Sequence, residues 1–361
     1  MSRIADPIAW QEGRRLYAAL TRRSFVAAGL AAAVGAATRG SPAHAQGAKT
    51  MIKYGHTSGV HEMGQYVLPD VLPPSIGIEW VDFGTIGTGR LAAMTRGLCE
   101  AMTTANTYVV SGRAEGVAVT GICGMAGRGQ ALVARQDRGI NKLEDLKGKR
   151  IATARFSSSH VMLMVVLRSL GLDPVKDVTI VDIGQPAAFN VLLEKGEVDA
   201  GLLWEPNVTI VTMRPGISKL ELDRFFKLTW PTHSGTYVLQ KLIDERREVV
   251  QEIVTASVKA TTALRGDTDK WITLAQRYTT QPRDVLVESI KNCDLRTDHD
   301  LTMTYRAAET MFELGIVKKE VAAEMEKAFD YSFLEKATGK SKEDLGFVSY
   351  ADYKAGKKSR I

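Results

Sequence analysis

Ser157, Ser158 and Ser159 stand directly before an apolar stretch, His160–Leu170, that stops at Gly171. Small hydroxyls at a helix start can cap the free amides of its first turn. Together with those amides and the helix dipole they can also hold an oxyanion, such as a sulfonate or a carboxylate. Arg155 lies just before them and could add positive charge. Other polar residues occupy comparable places. His56 and Thr57 follow a first apolar strand, Met51–His56. Thr85 and Thr88 precede one helix-like stretch, and Gln185 precedes another. Thr104 and Asn106 end a further strand; an Asn side chain both donates and accepts, which suits orienting a polar ligand, although Asn106 also suits a turn. Trp204 and Glu205 end a late strand. An indole there can stack on a ligand or pack in a core. Glu205 could accept from an amino group, pair with an arginine or hold a hinge. Thr236 is a further candidate near a return of the chain, and His61 is read as a surface residue.

These residues do not make a catalytic set. No Ser-His-Asp arrangement or metal-ligand spacing accompanies them, and Gly84-x-x-Gly87-x-Gly89 is a lone glycine cluster. The expectation is ligand binding without metal or cofactor. An enzyme of two-lobed design and a sensor are the alternative classes.

The framework that positions them occurs twice. The first copy reads Val81-Asp82-Phe83-Gly84, a helix-like stretch, then Gly97-Leu98-Cys99-Glu100-Ala101. The second reads Val181-Asp182-Ile183-Gly184, a helix-like stretch, then Gly196-Glu197-Val198-Asp199-Ala200. In each, an apolar strand ends at Gly, a helix follows, another Gly stops it, and an acidic-Ala pair opens a new strand. Two strand–helix–strand units predict two α/β lobes with a cleft between them, and such sheets bind ligands at the carboxyl ends of their strands. After Gly235 the periodicity turns helical, with Asp244–Leu264, Lys270–Tyr278 and Glu320–Phe329 as the clearest stretches.

The amino terminus reads as an export signal. Thr21-Arg22-Arg23-Ser24-Phe25 precedes an apolar run, Phe25–Ala37, and the small-residue site Ala43-His44-Ala45. The run falls short of the roughly 20 residues that span a bilayer. The paired arginines followed by Ser-Phe resemble twin-arginine (Tat) signals and imply export to the periplasm. Residues 1–45 hold six arginines against Asp6 and Glu12, which is +4 of the chain's formal +6. The remainder is near neutral, with no basic stripe interleaved with aromatics, so nucleic acid is not an expected partner. The basic end, Lys354–Arg360, reads as a solvated tail. Cys99, Cys123 and Cys293 are spaced too widely for a metal site. Buried thiols are the favoured reading over a Cys99–Cys123 bridge.

Leu132-Val133-Ala134, the block Asp145-Leu146-Lys147-Gly148-Lys149-Arg150-Ile151-Ala152, Gly196-x-x-Asp199-Ala200 and Trp204-Glu205-Pro206 carry a resemblance to a known family. Over roughly residues 50–300 the chain resembles the periplasmic substrate-binding proteins of ABC importers in the nitrate/sulfonate/taurine group, which includes thiamine-precursor binders. The resemblance implies a two-lobed, type II-like periplasmic binding protein fold, with two open α/β sheets, flanking helices and a hinge. It implies a small ligand, a membrane permease and its ATPase as partners, and a monomer. Residues 46–134 and 236–340 are expected to form a discontinuous first lobe, 135–235 the second, and 341–361 a tail. The expected ligand is a small organic anion, a sulfonate or aromatic carboxylate, with a thiamine-precursor pyrimidine as the alternative.

Overall fold

The structure, a computed structural model, describes residues 49–56, 59–83, 89–183, 186–220, 222 and 234–361. The expected export signal, Thr57, Thr85, Thr88 and Gln185 lie outside the described residues. In chain order the strands are β1 (Thr50–His56), β2 (Ile76–Asp82), β3 (Ala101–Ala105), β4 (Val119–Arg128), β5 (Gln130–Arg135), β6 (Arg150–Thr153), β7 (Thr179–Asp182), β8 (Ala200–Trp204), β9 (Ile217–Leu220), β10 (Ser234–Leu239) and β11 (Cys293–Leu295). They form two sheets, one ordered β11-β4-β10-β3-β1-β2 and the other β7-β6-β8-β5-β9. The helices that bear on the site are α1 (Gly89–Thr95), α2 (Asn106–Ala114), α3 (Ser158–Ser169), α4 (Pro186–Glu194), α5 (Asn207–Thr212), α6 (Gln240–Arg265), α7 (Thr268–Thr279), α8 (Arg283–Lys291) and α9 (Leu301–Glu313).

The internal repeat appears as one arrangement used twice. In the first sheet β1 lies between β2 and β3, all parallel. In the second, β6 lies between β7 and β8, again all parallel. Each crossover carries a helix, α1 or α4. The repeated acid before each third strand has a local job. The Glu100 carboxylate accepts from Lys53 N at 3.2 Å, and that of Asp199 from Arg150 N at 2.9 Å. Each acid therefore ties the start of its own strand to the neighbouring one. Each is also neutralised by arginine: Glu100 by Arg246, Asp199 by Arg150. Burial in the second lobe follows the strand period of two. Leu132 and Ala134 pack into one core, with Leu163 and Leu167 of α3. Ala131 and Val133 pack into the other, with Phe189 of α4.

Two expectations about boundaries differ from the structure. Residues 130–134 do not belong to the first lobe: β5 pairs antiparallel with β8 and β9 inside the second sheet. The chain leaves the first sheet at Arg128-Gly129, both left-handed, with φ of 61° and 69°. A side chain at Gly129 would meet His61 Nε2 at 2.4 Å, so glycine is required there for space as well as conformation. Residues 341–361 are not a free tail. Leu345 and Val348 are buried, Tyr305 donates to Val348 O at 2.9 Å, and Lys354 pairs with Glu309. Cys99 and Cys123 are buried free thiols, and Cys293 is a half-buried one.

Candidate functional site

Several candidate residues gather at the carboxyl ends of the parallel strands. Where β3 runs into α2, Asn106 is wholly buried, and among the described residues neither its amide oxygen nor its amide nitrogen has a hydrogen-bond partner. The next hydroxyl, Thr107 Oγ1, is buried and likewise without a partner among the described residues. The residue before α2 is Ala105, which offers no side-chain cap. The first turn of α2 thus combines a missing side-chain cap with an unsatisfied polar side chain. Buried polar groups are normally paired, and helix starts are normally capped by side chain, water or ligand. In the second lobe Thr153 Oγ1, at the end of β6, is also buried with no partner among the described residues.

A cation stands beside this helix start. Arg90, at the beginning of α1, is buried, donates from Nη1 to Thr104 Oγ1 at 3.0 Å, and lies over the Tyr108 ring at 5.5 Å. Burial lowers its pKa, while Tyr108 and Glu62 oppose the shift. A guanidinium remains protonated under such a shift. Arg90 went unread in the sequence. Its signal was its place, directly after the glycine cluster in the first lobe's repeat.

The three serines divide their labour. Ser157 is the N-cap: its Oγ accepts from His160 N at 3.1 Å and donates to Ala154 O at 2.6 Å. Ser158 and Ser159 accept from Gln130 Nε2 at 2.7 and 3.0 Å. That leaves each of their hydroxyl protons as a donor. Gln130 opens β5, immediately after the crossing, and also went unread. His56 ends β1 half-buried, with Nδ1 at 2.8 Å from the Tyr66 hydroxyl and its ring edge-on to Trp80. Burial pulls its pKa below the ordinary histidine value, against the pull of Asp82.

Other candidates take structural places. Thr236 is wholly buried and shares the Tyr54 hydroxyl with Thr103, at 3.2 and 2.8 Å. It belongs to a hydrogen-bonded chain across the middle of the first sheet. Trp204 is half-buried against the second-lobe core around Phe189 and Val208. Glu205 is wholly buried, and both carboxylate oxygens are used. Thr209 N donates to Oε2 at 3.1 Å, and Asn292 Nδ2 donates to Oε1 at 2.8 Å. Burial raises its pKa, with the Thr209, Asn292 and Ser289 hydrogen bonds opposing. Asn292 follows α8 and precedes β11 of the first sheet, so Glu205 joins the two lobes beside the crossing. The Glu205 amide also donates to Gly129 O at 2.9 Å. His61, read as a surface residue, is buried and donates from Nε2 to Arg128 O at 3.0 Å. Among the described residues, no group of His, Cys, Asp and Glu could hold a metal ion, and no helix is long and apolar enough to cross a membrane.

A family model, NMT1/THI5 like, matches residues 88–270, half of the chain, including α1, α2, the crossing and the second sheet. The chain belongs to the NMT1/THI5-like family. Its sequence is 26% identical over 73% of its length to a Bacillus subtilis (strain 168) protein named "Putative aliphatic sulfonates-binding protein", covering 79% of that protein. It is 28% identical over 40% of its length to the taurine-binding periplasmic protein of Escherichia coli (strain K12), covering 44% of it. The fold of this NMT1/THI5-like chain matches the alkanesulfonate-binding protein SsuA from Xanthomonas axonopodis pv. citri bound to MOPS. The TM-score is 0.69 at 19% identity, over 79% of this chain and 99% of SsuA. These likenesses agree with the resemblance carried by the Asp145–Ala152 block and Trp204-Glu205-Pro206, and the architecture is that of periplasmic binding proteins.

Proposed function

We propose that the chain is the periplasmic solute-binding component of an ABC importer, and that it holds a small organic anion, a sulfonate or an aromatic carboxylate, between its lobes. The observation that carries this reading is Asn106. A fully buried amide whose Nδ2 lacks an acceptor among the described residues, at a helix start with no side-chain cap and beside a buried arginine, can complete its bonding by donating to an anion. Ser158 and Ser159 supply donors from the opposite lobe, so ligand contacts from both sides favour the closed arrangement. The sulfonate- and taurine-binding names of the relatives support the same ligand class. The pyrimidine alternative rested on Glu205 and Trp204 suiting an aminated ring; Glu205 is instead bound to Thr209 and Asn292, and Trp204 is half-buried against the second-lobe core. Residues 1–45 are then the export signal, the first lobe comprises both flanks of the second sheet's segment, and a permease receives the ligand.

The test is calorimetric titration of the mature chain with taurine, methanesulfonate, benzenesulfonate and benzoate. At least one should bind one-to-one with micromolar or tighter affinity, and the same anion should bind Asn106→Leu at least tenfold more weakly. Equal binding to both proteins would remove Asn106 from the site and this reading with it.

A further inference from the structure

Gln130 is the first residue of β5, directly after the left-handed pair Arg128-Gly129 at which the chain crosses between the lobes. Its side chain is buried, and its amide nitrogen is turned to the start of α3. There Nε2 donates to Ser158 Oγ at 2.7 Å and to Ser159 Oγ at 3.0 Å. An amide nitrogen carries two hydrogens, so each serine receives one. A serine oxygen that accepts in this way still has its own proton to give. Both serines are buried, and among the described residues neither hydroxyl donates to any group. Buried protons of this kind normally find a partner. Accepting a hydrogen bond also makes a hydroxyl a better donor, because bonds in a chain polarise one another.

The serine pair sits where the second lobe meets the first. Val161, on the first turn of α3, is buried in the first lobe's core together with Val109 and Val110 of α2. Near its own start α3 therefore meets α2, the helix that Asn106 opens. Gln130 and both serines belong to one lobe, so their arrangement is built before any closure of the lobes. Turned around, the same amide would accept from both hydroxyls through its oxygen, and the serines would then offer lone pairs instead of protons. Which way the amide faces thus decides which chemical groups the serines can hold.

Resting on the anion reading above, we infer that Gln130 is a positioning residue that fixes Ser158 and Ser159 as donors and so selects, at that end of the site, an oxyanion oxygen that carries no proton. A deprotonated oxygen accepts from both hydroxyls. A group that must itself donate there, such as a P–OH or an alcohol, leaves two buried protons with nothing to bond. Gln130 acts through the serines, and its effect is therefore on which head group binds.

The experiment is calorimetry on the mature chain. Whichever of taurine, methanesulfonate, benzenesulfonate and benzoate binds is set against the phosphonate with the same carbon group, at a pH where that phosphonate keeps one P–OH proton. The two head groups then carry equal charge, so their affinity ratio cancels any general change in the charge of the site. Gln130→Glu, whose carboxylate accepts from both serines and turns their protons away from the ligand, should shift the ratio toward the phosphonate by about tenfold or more. Gln130→Leu, which leaves the hydroxyls free to turn either way, should shift it by about threefold and covers the case in which Gln130→Glu does not fold. A merely structural role for Gln130 would weaken both ligands alike. A ratio unchanged in each variant that folds, or a phosphonate that no variant binds, overturns the positioning role and leaves the anion reading standing. If no anion of the panel binds, the anion reading fails and the positioning role falls with it.

Discussion

At Asn106 the cost of desolvating an amide is borne by the free protein, and the consequence is measurable in both states. Replacement by leucine, which is similar in size and needs no partner, should raise the thermal stability of the unliganded chain by about 1 kcal/mol. It should lower affinity at the same time. A loss of stability would mean that the amide already has a partner. Ser157 should behave in the opposite way. Ser157→Ala removes a cap and should cost about 1 kcal/mol of stability with little change in affinity. From the sequence alone, ligand contact was the favoured reading for all three serines, with simple capping as the alternative. Which hydroxyl does which depends on Gln130, a residue distant in sequence that only the fold brings to Ser158 and Ser159. Arg90 was hidden for the same reason: its partners Thr104 and Tyr108 come from the next strand and helix.

At the scale of elements, α3 carries a titratable group at its first turn. Burial, reinforced by Arg155, pushes His160 down to about 4, with Asp182 opposing. The folded state therefore prefers the neutral ring. Its contribution to stability is fully present above the unfolded value near 6.5 and is lost as pH falls through about 4. Over that window the loss is on the order of 3 kcal/mol. His160→Asn should flatten the acid limb of a stability profile between those two values. An unchanged limb would place the titration elsewhere, for instance at His299, which burial pushes down to about 3. The repeated strand–helix–strand units were legible because their signals are local: an apolar run, a glycine stop, an acid before the next strand. The side on which β5 pairs was not legible. Strand pairing is decided by β8 and β9, and Gln130–Arg135 reads as a strand in either sheet. The closing segment misled for a related reason, since its lysines mark a solvated end while Leu345 and Val348 anchor it.

For the whole molecule, the Glu205–Asn292 bond joins the lobes at the crossing. Asn292→Ala leaves a buried carboxylate short of a donor and should cost about 1–3 kcal/mol. It should also loosen the hinge, seen as a larger radius of gyration in small-angle scattering of the free protein. An unchanged radius would make the bond a packing detail. Export can be tested as directly. The mature chain recovered from the periplasm should begin at Gln46, and Arg22→Lys with Arg23→Lys should leave the precursor inside the cell. Recovery of the double variant in the periplasm would exclude the twin-arginine route. The most direct measurement of the central claim is scattering of the mature chain with and without the tightest-binding anion of the sulfonate and carboxylate panel, for wild type and Asn106→Leu. Two lobes closing on an anion held at Asn106 predict a smaller radius for liganded wild type and no change for the variant at the same anion concentration. A wild-type radius that does not respond to a bound anion, or a variant that contracts just as wild type does, would contradict it.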